Sequence, residues 1–338
     1  MPRELHFYAG HTDISALRQS MLRRRRQAFR TGTSANHLSQ FRAYISFCLE
    51  FNLRDVNPTV DTVCLYVEHL AQRFRSPKSV SNYISGVRLL HKYLGVECPS
   101  LYSFELDLML RALDITFMHL PNQRLPITTQ ILQQLCQLCD NIGPLGRVLR
   151  CAFLFGFFGL LRQSNLAPRR QGAFDPLRHT CRGDIVFHYP GLVIIQKWSK
   201  TNQRGGQPHL IPLPAIQGSP LCPVAAYTAM LEVAPTSHPN QPLLCTTGSR
   251  LPGRPLTTTW LGQSFAIMMD TLGYSHTRYS LHSLRRGGAT TSYQAGVSFT
   301  EIQRHGGWSS NAFWDYIAPD STVYAALPRQ LATAASGQ

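Results

Sequence analysis

Apolar residues recur every three or four positions through the first third of the chain, which is the period of one face of an α-helix. The pattern predicts helices over residues 14–30, 34–52, 60–74, 79–93 and 100–117. Gly95 follows the fourth segment and suits a helix C-cap. No strand-like alternation interrupts these segments, so this part of the sequence predicts a small all-helical domain.

A segment with two prolines, Leu120 to Pro126, separates this region from the rest of the chain. Proline disfavours helix at the residue before it, so the segment predicts an interdomain linker. We therefore expect a helical domain over residues 1–119, a linker over 120–126 and a second domain over 127–338. Residues 1–12 are expected to be loose.

The second region combines helical patterns with a short run of strands. Helices are predicted over residues 128–141 and 146–161, and again over 223–233, 258–272, 285–294, 298–305 and 311–316. Three segments rich in β-branched residues predict strands over 184–188, 192–198 and 209–213. Pro212 lies in the third segment and places it at a sheet edge or a strand end.

The composition is that of a folded, strongly basic protein. Hydrophobic residues make up 43% of the chain and charged residues 15%, which argues against disorder. The 33 lysines and arginines exceed the 18 acidic residues and give a net charge of +15. Such a surplus points to a polyanion partner, most often nucleic acid, although a basic structural protein is the alternative. Arg23 to Arg26 form a run that suits phosphate contact, nuclear targeting or a solvated helix face.

The cysteines and the apolar runs narrow the class further. Nine scattered cysteines and no apolar run near the first residue predict reduced thiols in an intracellular protein. Cys136 and Cys139 have the spacing of a zinc or redox motif, but leucines lie between them and no second Cys/His pair is near. We expect a helix core there, with no metal and no cofactor. The longest apolar run, Cys151 to Leu161, has 11 residues, whereas a bilayer span needs about 20.

One stretch of the sequence carries candidate chemistry. It places His282 three residues before Arg285, and Trp308 eight residues before Tyr316. Arginine offers a rigid fork of donors that matches phosphate oxygens, and tryptophan adds one N–H. A tyrosine hydroxyl can become a nucleophile. These residue types together suit the binding and attack of a phosphate group.

These motifs resemble the C-terminal signature of tyrosine recombinases, the phage-integrase superfamily. The likeness rests on HSLRRGGAT from His282 and on GWSSNAF from Gly307, with Tyr316 after it. The residues of these motifs are similar to those of recombinases of eukaryotic mobile elements, the DIRS-like and Crypton-like branch. The resemblance implies a mainly α fold: a helical core-binding domain, then an α+β catalytic domain with a small antiparallel sheet.

The resemblance also assigns roles to residues outside that stretch. The segment FGLLRQSNLAP resembles the motif around the family's first catalytic arginine, which implies that Arg162 binds phosphate. The alternative is that Arg162 is simply a cation at a helix C-terminus. Many bacterial members have an acidic residue where this chain has Asn165. The family's general-acid lysine lies in a hairpin, which implies Lys200, with Lys197 as the competitor.

Inside the signature, His282 and Arg285 share one helix face, and Arg286 is more suited to structure or to another phosphate contact. Trp308 occupies the family's His-or-Trp position, with His305 as runner-up. The implied nucleophile is Tyr316; Tyr324 is the only later tyrosine and fits the spacing less well. The six implied catalytic residues are Arg162, Lys200, His282, Arg285, Trp308 and Tyr316.

The implied reaction is DNA cleavage and rejoining through a 3′-phosphotyrosine bond, without metal or ATP. Its partner would be double-stranded DNA bound by a dimer to tetramer, in the nucleus of a eukaryote or the cytoplasm of a prokaryote. The segment after Tyr316 has an apolar stripe that suits packing on its own chain or on a neighbour. Two alternatives remain: a type IB topoisomerase-like enzyme, and a recombinase-derived DNA-binding protein without catalysis.

Overall fold

The protein is described by a computed structural model over residues 13–26, 28–29, 31–117, 124–198, 207–235, 237–247 and 253–317, with 328, 331–333 and 335–336 beyond them. The chain divides into two compact units, Met1–Pro121 and Asn122–Gln338. Residues 1–12, most of the predicted linker, Lys200 and Tyr324 lie outside the described residues, as does most of the segment after Tyr316.

The first unit is helical throughout its described residues. Its helices are α1 (Ile14–Arg26), α2 (Thr31–Glu50), α3 (Val60–Arg73), α4 (Pro77–Leu94) and α5 (Phe104–Thr116), with a 3-10 helix at Pro99–Tyr102. Thr59 caps α3 by accepting from the Thr62 amide, and Gly95 ends α4 with a left-handed φ of 69°. The Gly95 cap predicted from the sequence is confirmed.

The core of this unit is made where α2, α3 and α4 face one another. Tyr44 and Tyr66 pack edge to face, with ring centroids 5.1 Å apart, and Ile84 is fully buried. Two predictions need correction. Helix α1 stops at Arg26, and its apolar residues Ile14 and Leu17 are at least half exposed, so they line no core within this unit. The predicted fifth helix is divided, because extended Ser103 starts a new helix there.

The second unit contains seven α-helices, one of them a single turn, and three strands within its described residues. They are α6 (Thr129–Asp140), α7 (Pro144–Phe158), the single turn α8 (Gln163–Leu166), β1 (Ile185–His188), β2 (Gly191–Gln196), β3 (His209–Leu213), α9 (Pro223–Val233), α10 (Thr258–Thr271), α11 (Leu281–Gln294) and α12 (Phe299–His305). Short 3-10 helices occur at Gln171–Ala173, Arg182–Asp184 and Asn311–Tyr316.

The strands form one antiparallel sheet in the order β1-β2-β3. Pro212 pairs with Val193 across the β2–β3 ladder, and among the described residues β3 is an edge strand, so the predicted edge position is confirmed. Alternate residues of β2 are buried, including Leu192 and Ile194, because one face of the sheet packs on the helices. Strand β2 ends at Gln196, two residues before the predicted end.

Helix α7 runs through the main core of this unit, and its Phe153, Leu154 and Phe155 are fully buried. Cys136 and Cys139 pack in the same core, where burial raises the pKa of the Cys136 thiol to about 12. The helix-core interpretation of these two cysteines is therefore confirmed. All nine cysteines are unpaired. Within the described residues, no helix is long and apolar enough to cross a membrane.

The end of α7 differs from the sequence-based prediction. The helix stops at Phe158, and Leu160 adopts a left-handed φ of 46° with its side chain buried. Arg162 then has extended backbone and precedes α8. The predicted helix to residue 161 is thus too long. Arg162 therefore does not end α7, as the alternative interpretation of a cation at a helix C-terminus assumed; it is the N-cap residue of the next helical turn.

Two glycines bring α11 against the backbone of neighbouring segments. A Cβ on Gly287 would lie 2.1 Å from the Ile127 carbonyl oxygen, and one on Gly288 would lie 2.1 Å from that of Phe157. The Ile127 amide also donates to the Ser283 carbonyl at 3.0 Å. The absence of side chains at these positions thus lets α11 pack directly on the end of α7, which carries it close to Arg162.

Candidate active site

Helix α11 supplies two of the predicted site residues. His282 and Arg285 lie in its first two turns, so the predicted start at residue 285 was late by about one turn. Arg285 is only 2% exposed, whereas His282 is exposed to solvent, with its ring partly shielded by the Tyr316 ring. A buried arginine is costly unless its donors are satisfied, and the structure shows partners for two of them.

The Arg285 guanidinium ties two chain segments together. Its Nη1 donates to the Leu160 carbonyl, and its Nη2 donates to the Gly306 carbonyl at 2.8 Å. Its Cζ lies 3.8 Å from the centroid of the Trp308 ring, which is cation–π distance. Such a contact contributes roughly 2 kcal/mol when it is shielded from water. Arg285 is therefore held rigidly by the segments that end α7 and α12.

Trp308 reaches Arg285 because of the two glycines before it. Gly307 has a φ of 62°, in the left-handed region that favours glycine. The Trp308 ring covers Gly306 so closely that a Cβ there would lie 1.7 Å from its Cζ3 atom. The two glycines therefore allow the close approach of the Trp308 ring to the backbone. Trp308 itself is 8% exposed.

Tyr316 is the last residue of the Asn311–Tyr316 3-10 helix and faces the same group of side chains. Its ring centroid lies 4.9 Å from that of His282 and 5.0 Å from that of Trp308. Arg285 Cζ lies 5.1 Å from the same ring. The Thr290 hydroxyl donates to the Tyr316 carbonyl at 3.2 Å, so α11 anchors the segment that carries the tyrosine.

Arg162 joins this group from the end of α7. Its charge interacts with Tyr316, His282 and Arg285. Its amide donates to Asn165 Oδ1 at 3.2 Å, and Asn165 Nδ2 donates to the Trp198 carbonyl at 3.3 Å. Asn165 therefore supports the Arg162 backbone and connects it to the segment that follows β2.

Of the two candidate lysines, the structure describes only Lys197. Lys200 lies in residues 199–206, outside the described residues, so its assignment stays a prediction. Its competitor Lys197 is described, and its Nζ forms an ion pair with Asp184 Oδ2 at 2.9 Å.

We refer to Arg162, His282, Arg285, Trp308 and Tyr316 as the site cluster. Burial is the main reason that the pKa of His282 falls to about 4, and the charges of Arg285, Arg162 and Arg286 lower it further. Burial, followed by repulsion from Arg162, lowers the pKa of Arg285 to about 9. His282 is thus an uncharged base at neutral pH, beside the cations Arg162 and Arg285, neither of which forms an ion pair with a described carboxylate.

Two donors in the site cluster are left without partners. Arg285 Nε and Trp308 Nε1 are buried and have no hydrogen-bond partner among the described residues. Each such donor costs about 1–3 kcal/mol. Orphaned donors, uncompensated cations and a tyrosine hydroxyl in one place suit an anion that a nucleophile can attack. The cluster can therefore hold a phosphate group beside Tyr316.

Some contacts that shape the site were not predicted from the sequence, although His305 was named as the runner-up for the position of Trp308. Leu160 adopts its left-handed backbone beside Arg162, and His305 Nε2 contacts the Phe158 carbonyl oxygen at 2.8 Å. His209 Nε2 contacts the His305 carbonyl oxygen at 3.0 Å. These contacts join positions far apart in the chain, and no local sequence pattern signals them. Within the described residues, no group of three or more His, Cys, Asp or Glu side chains could hold a metal ion.

Comparison with protein-family models found no match, and comparison with curated proteins found none either. Solved structures do match over most of the chain. A lambda integrase dimer bound to a COC′ core site has a TM-score of 0.59 at 15% identity, covering 91% of this chain and 95% of that one. The Tn1549 transposon integrase in complex with circular intermediate DNA gives 0.59 at 13%, covering 92% and 97%. A lambda integrase tetramer bound to a Holliday junction gives 0.56 at 15%, covering 91% and 84%.

The likeness establishes the fold. The chain is mostly helical with a three-stranded antiparallel sheet, and this architecture matches the fold of tyrosine recombinases. The predicted fold class is therefore confirmed. Identities of 13–16% show the fold alone, so the chemistry has to be argued from the residues of the site cluster.

Proposed function

We propose that this protein is a site-specific DNA recombinase of the tyrosine class, encoded by a mobile element. The observation that carries the proposal is the convergence of two orphaned donors, Arg285 Nε and Trp308 Nε1, with Arg162, His282 and Tyr316. Fold relatives solved with core-site, transposon and Holliday-junction DNA support a nucleic-acid substrate. The net charge of +15 agrees with a polyanion partner.

In the proposed reaction, Tyr316 Oη attacks a DNA phosphorus and displaces a 5′ oxygen, leaving a 3′-phosphotyrosine bond and a free 5′-hydroxyl. An isolated tyrosine has a pKa of about 10, so a base has to take its proton. His282 has the position for this role, with its ring 4.9 Å from that of Tyr316. Phosphate binding would balance the neighbouring arginines and raise the basicity of His282, which is low without an anion.

The arginines and the tryptophan would stabilise the charge that develops on the non-bridging phosphate oxygens. Arg162 and Arg285 supply the cations. Lys200 is proposed as the acid that protonates the leaving 5′ oxygen, by the family resemblance of its segment. The covalent bond conserves the free energy of the phosphodiester, so a second 5′-hydroxyl can attack and reseal. The proposed reaction therefore uses neither a metal ion nor ATP.

The proposal extends to domains and assembly. We assign residues 1–119 to a core-binding domain and 127–338 to a catalytic domain, joined by a linker over 120–126, because the fold relatives align across both units. Exchange between two duplexes requires several protomers, and relatives solved as a dimer and a tetramer on DNA support a homo-oligomer. The motif wording favours the DIRS-like and Crypton-like branch, which would place the protein in a nucleus.

The direct test is capture of the covalent intermediate. Duplexes carrying the DNA that flanks the gene, nicked beside the cleavage position, lose the short 5′-hydroxyl strand and trap the adduct. We expect wild type to form it and Tyr316→Phe to form none, since phenylalanine keeps the ring contacts with His282 and Trp308 but lacks the nucleophile. Peptide mapping identifies the linked residue.

An adduct in Tyr316→Phe, or one mapped to Tyr324, would overturn the assignment of the nucleophile. Tight DNA binding without any adduct in wild type would favour the non-catalytic alternative. Relaxation of supercoiled plasmids without regard to sequence would favour the topoisomerase-like alternative.

A further inference from the structure

His305 lies outside the site cluster and contacts no member of it by hydrogen bond, yet it joins the segments that carry two members. Its Nε2 lies 2.8 Å from the Phe158 carbonyl oxygen, at the end of α7. A carbonyl oxygen only accepts, so Nε2 has to carry the proton and donate. Mainly because it is buried, the pKa of His305 is lowered, which favours a neutral ring whose proton is on Nε2.

A second histidine extends the connection to the sheet. His209, the first residue of β3, has its Nε2 3.0 Å from the His305 carbonyl oxygen, and by the same reasoning it donates. Gly307 lies beside this ring, since a Cβ there would be in ordinary van der Waals contact with His209 Nε2, at 3.6 Å. Two imidazoles in series thus link β3 to α12 and α12 to α7.

Arg285 makes the parallel pair of bonds to the same two segments. It donates to Leu160 O on the α7 side and to Gly306 O on the α12 side. The carbonyls of Phe158 and Leu160 are therefore both fixed by donors from outside the helix. Between Phe158 and Arg162 the chain passes through the left-handed backbone of Leu160, which costs a non-glycine residue about 1–2 kcal/mol.

We infer that His305 is a positioning residue, which holds the Phe158–Leu160 turn and the Gly306–Gly307 turn in register so that Arg162 and Trp308 meet the same phosphate. This inference rests on the proposed function. The bond from His305 fixes the carbonyl where α7 ends, and the turn that aims Arg162 starts there. His209 reinforces the arrangement by holding the carbonyl of His305 itself.

The test compares two substitutions with opposite hydrogen-bonding capacity. His305→Leu removes the donor at similar volume, whereas His305→Gln keeps an N–H donor near the position of Nε2. At saturating DNA we expect His305→Leu to form the covalent adduct roughly 10- to 100-fold more slowly, the effect of a misplacement of about 1 Å. DNA affinity should change little, and His305→Gln should recover most of the rate.

The matched control is His179→Leu. His179 is also a half-buried histidine of the second unit with a lowered pKa and a backbone hydrogen bond, but that bond stays within its own loop, to Asp175. We expect it to react at the wild-type rate. A wild-type rate in folded His305→Leu would overturn the inference, as would a His305→Gln as slow as His305→Leu.

Should His305→Leu fail to fold, His209→Leu and His209→Gln test the same connection from the exposed edge strand. His209→Leu is expected to be slow and His209→Gln to recover; equal rates in both would overturn the inference. Failure of the proposed function is distinguishable from all of these outcomes, because wild type itself would then form no adduct.

Discussion

Asn165 shows how a single buried amide can satisfy two backbone partners at once. Its Oδ1 accepts from the Arg162 amide and its Nδ2 donates to the Trp198 carbonyl, with the residue 2% exposed. A carboxylate could accept from Arg162 but could not donate to Trp198. An amide is therefore required here because its second partner, the Trp198 carbonyl oxygen, needs a donor.

This reasoning predicts that Asn165→Asp is harmful although aspartate has nearly the same shape. The substitution places a carboxylate oxygen against the Trp198 carbonyl and leaves a buried acceptor without a donor, which costs about 1–3 kcal/mol. We expect lower stability in urea unfolding and a slower adduct rate. Asn165→Ala, which removes both bonds without adding charge, is the comparison. An Asn165→Asp protein with the stability and rate of wild type would show that an acidic residue serves equally well here.

At the scale of elements, the close contact of α11 with α7 positions the site cluster. Gly288 packs against the Phe157 carbonyl. In the same helix, Arg285 lies three residues before it and Thr290 two residues after it. A side chain at position 288 has to push the two helices apart, because the atom it meets belongs to the backbone. The distance between Arg285 and the Leu160 carbonyl would then lengthen.

We therefore expect Gly288→Ala to lower the free energy of unfolding by about 1–3 kcal/mol and to slow adduct formation. All four tryptophans, at positions 198, 260, 308 and 314, lie in the second unit, so their fluorescence reports its unfolding in denaturant. Gly172→Ala is the control, since a Cβ there meets nothing within 4 Å. It should stay within about 0.5 kcal/mol of wild type. Equal stabilities of the two variants would contradict the packing argument.

The sequence predicted the local elements of the fold, but it did not predict the contacts between distant segments that build the site. Local periodicity predicted most helices and all three strands to within a few residues, because amphipathic segments form wherever they can bury one face. It failed at Leu160, whose left-handed backbone is stabilised by Arg285, 125 positions away. It also failed at α1, where apolar residues at helical spacing stay exposed. The roles of the site residues came from the family resemblance, since periodicity carries no chemistry.

At the scale of the whole molecule, the excess positive charge is expected to drive association with DNA. Each phosphate contact that releases a counterion steepens the fall of affinity with salt, by about 0.9 in the slope of log K against log [salt]. Ion pairs within the protein do not contribute, because a carboxylate already neutralises the cation. Arg147 with Glu232, and Arg178 with Asp175, are two such pairs.

The salt dependence of DNA binding therefore tests whether the arginine run of α1 contacts phosphates. If Arg24 and Arg25 contact phosphates, changing both to glutamine should reduce the magnitude of the slope by about 2. Changing Arg147 and Arg178 to glutamine removes the same net charge and should leave the slope nearly unaltered. Fluorescence anisotropy of a labelled duplex over a range of potassium chloride concentrations measures both. An equal reduction in the two double variants would mean that net charge alone sets the affinity, and an unchanged slope in both would make the run on α1 a solvated helix face.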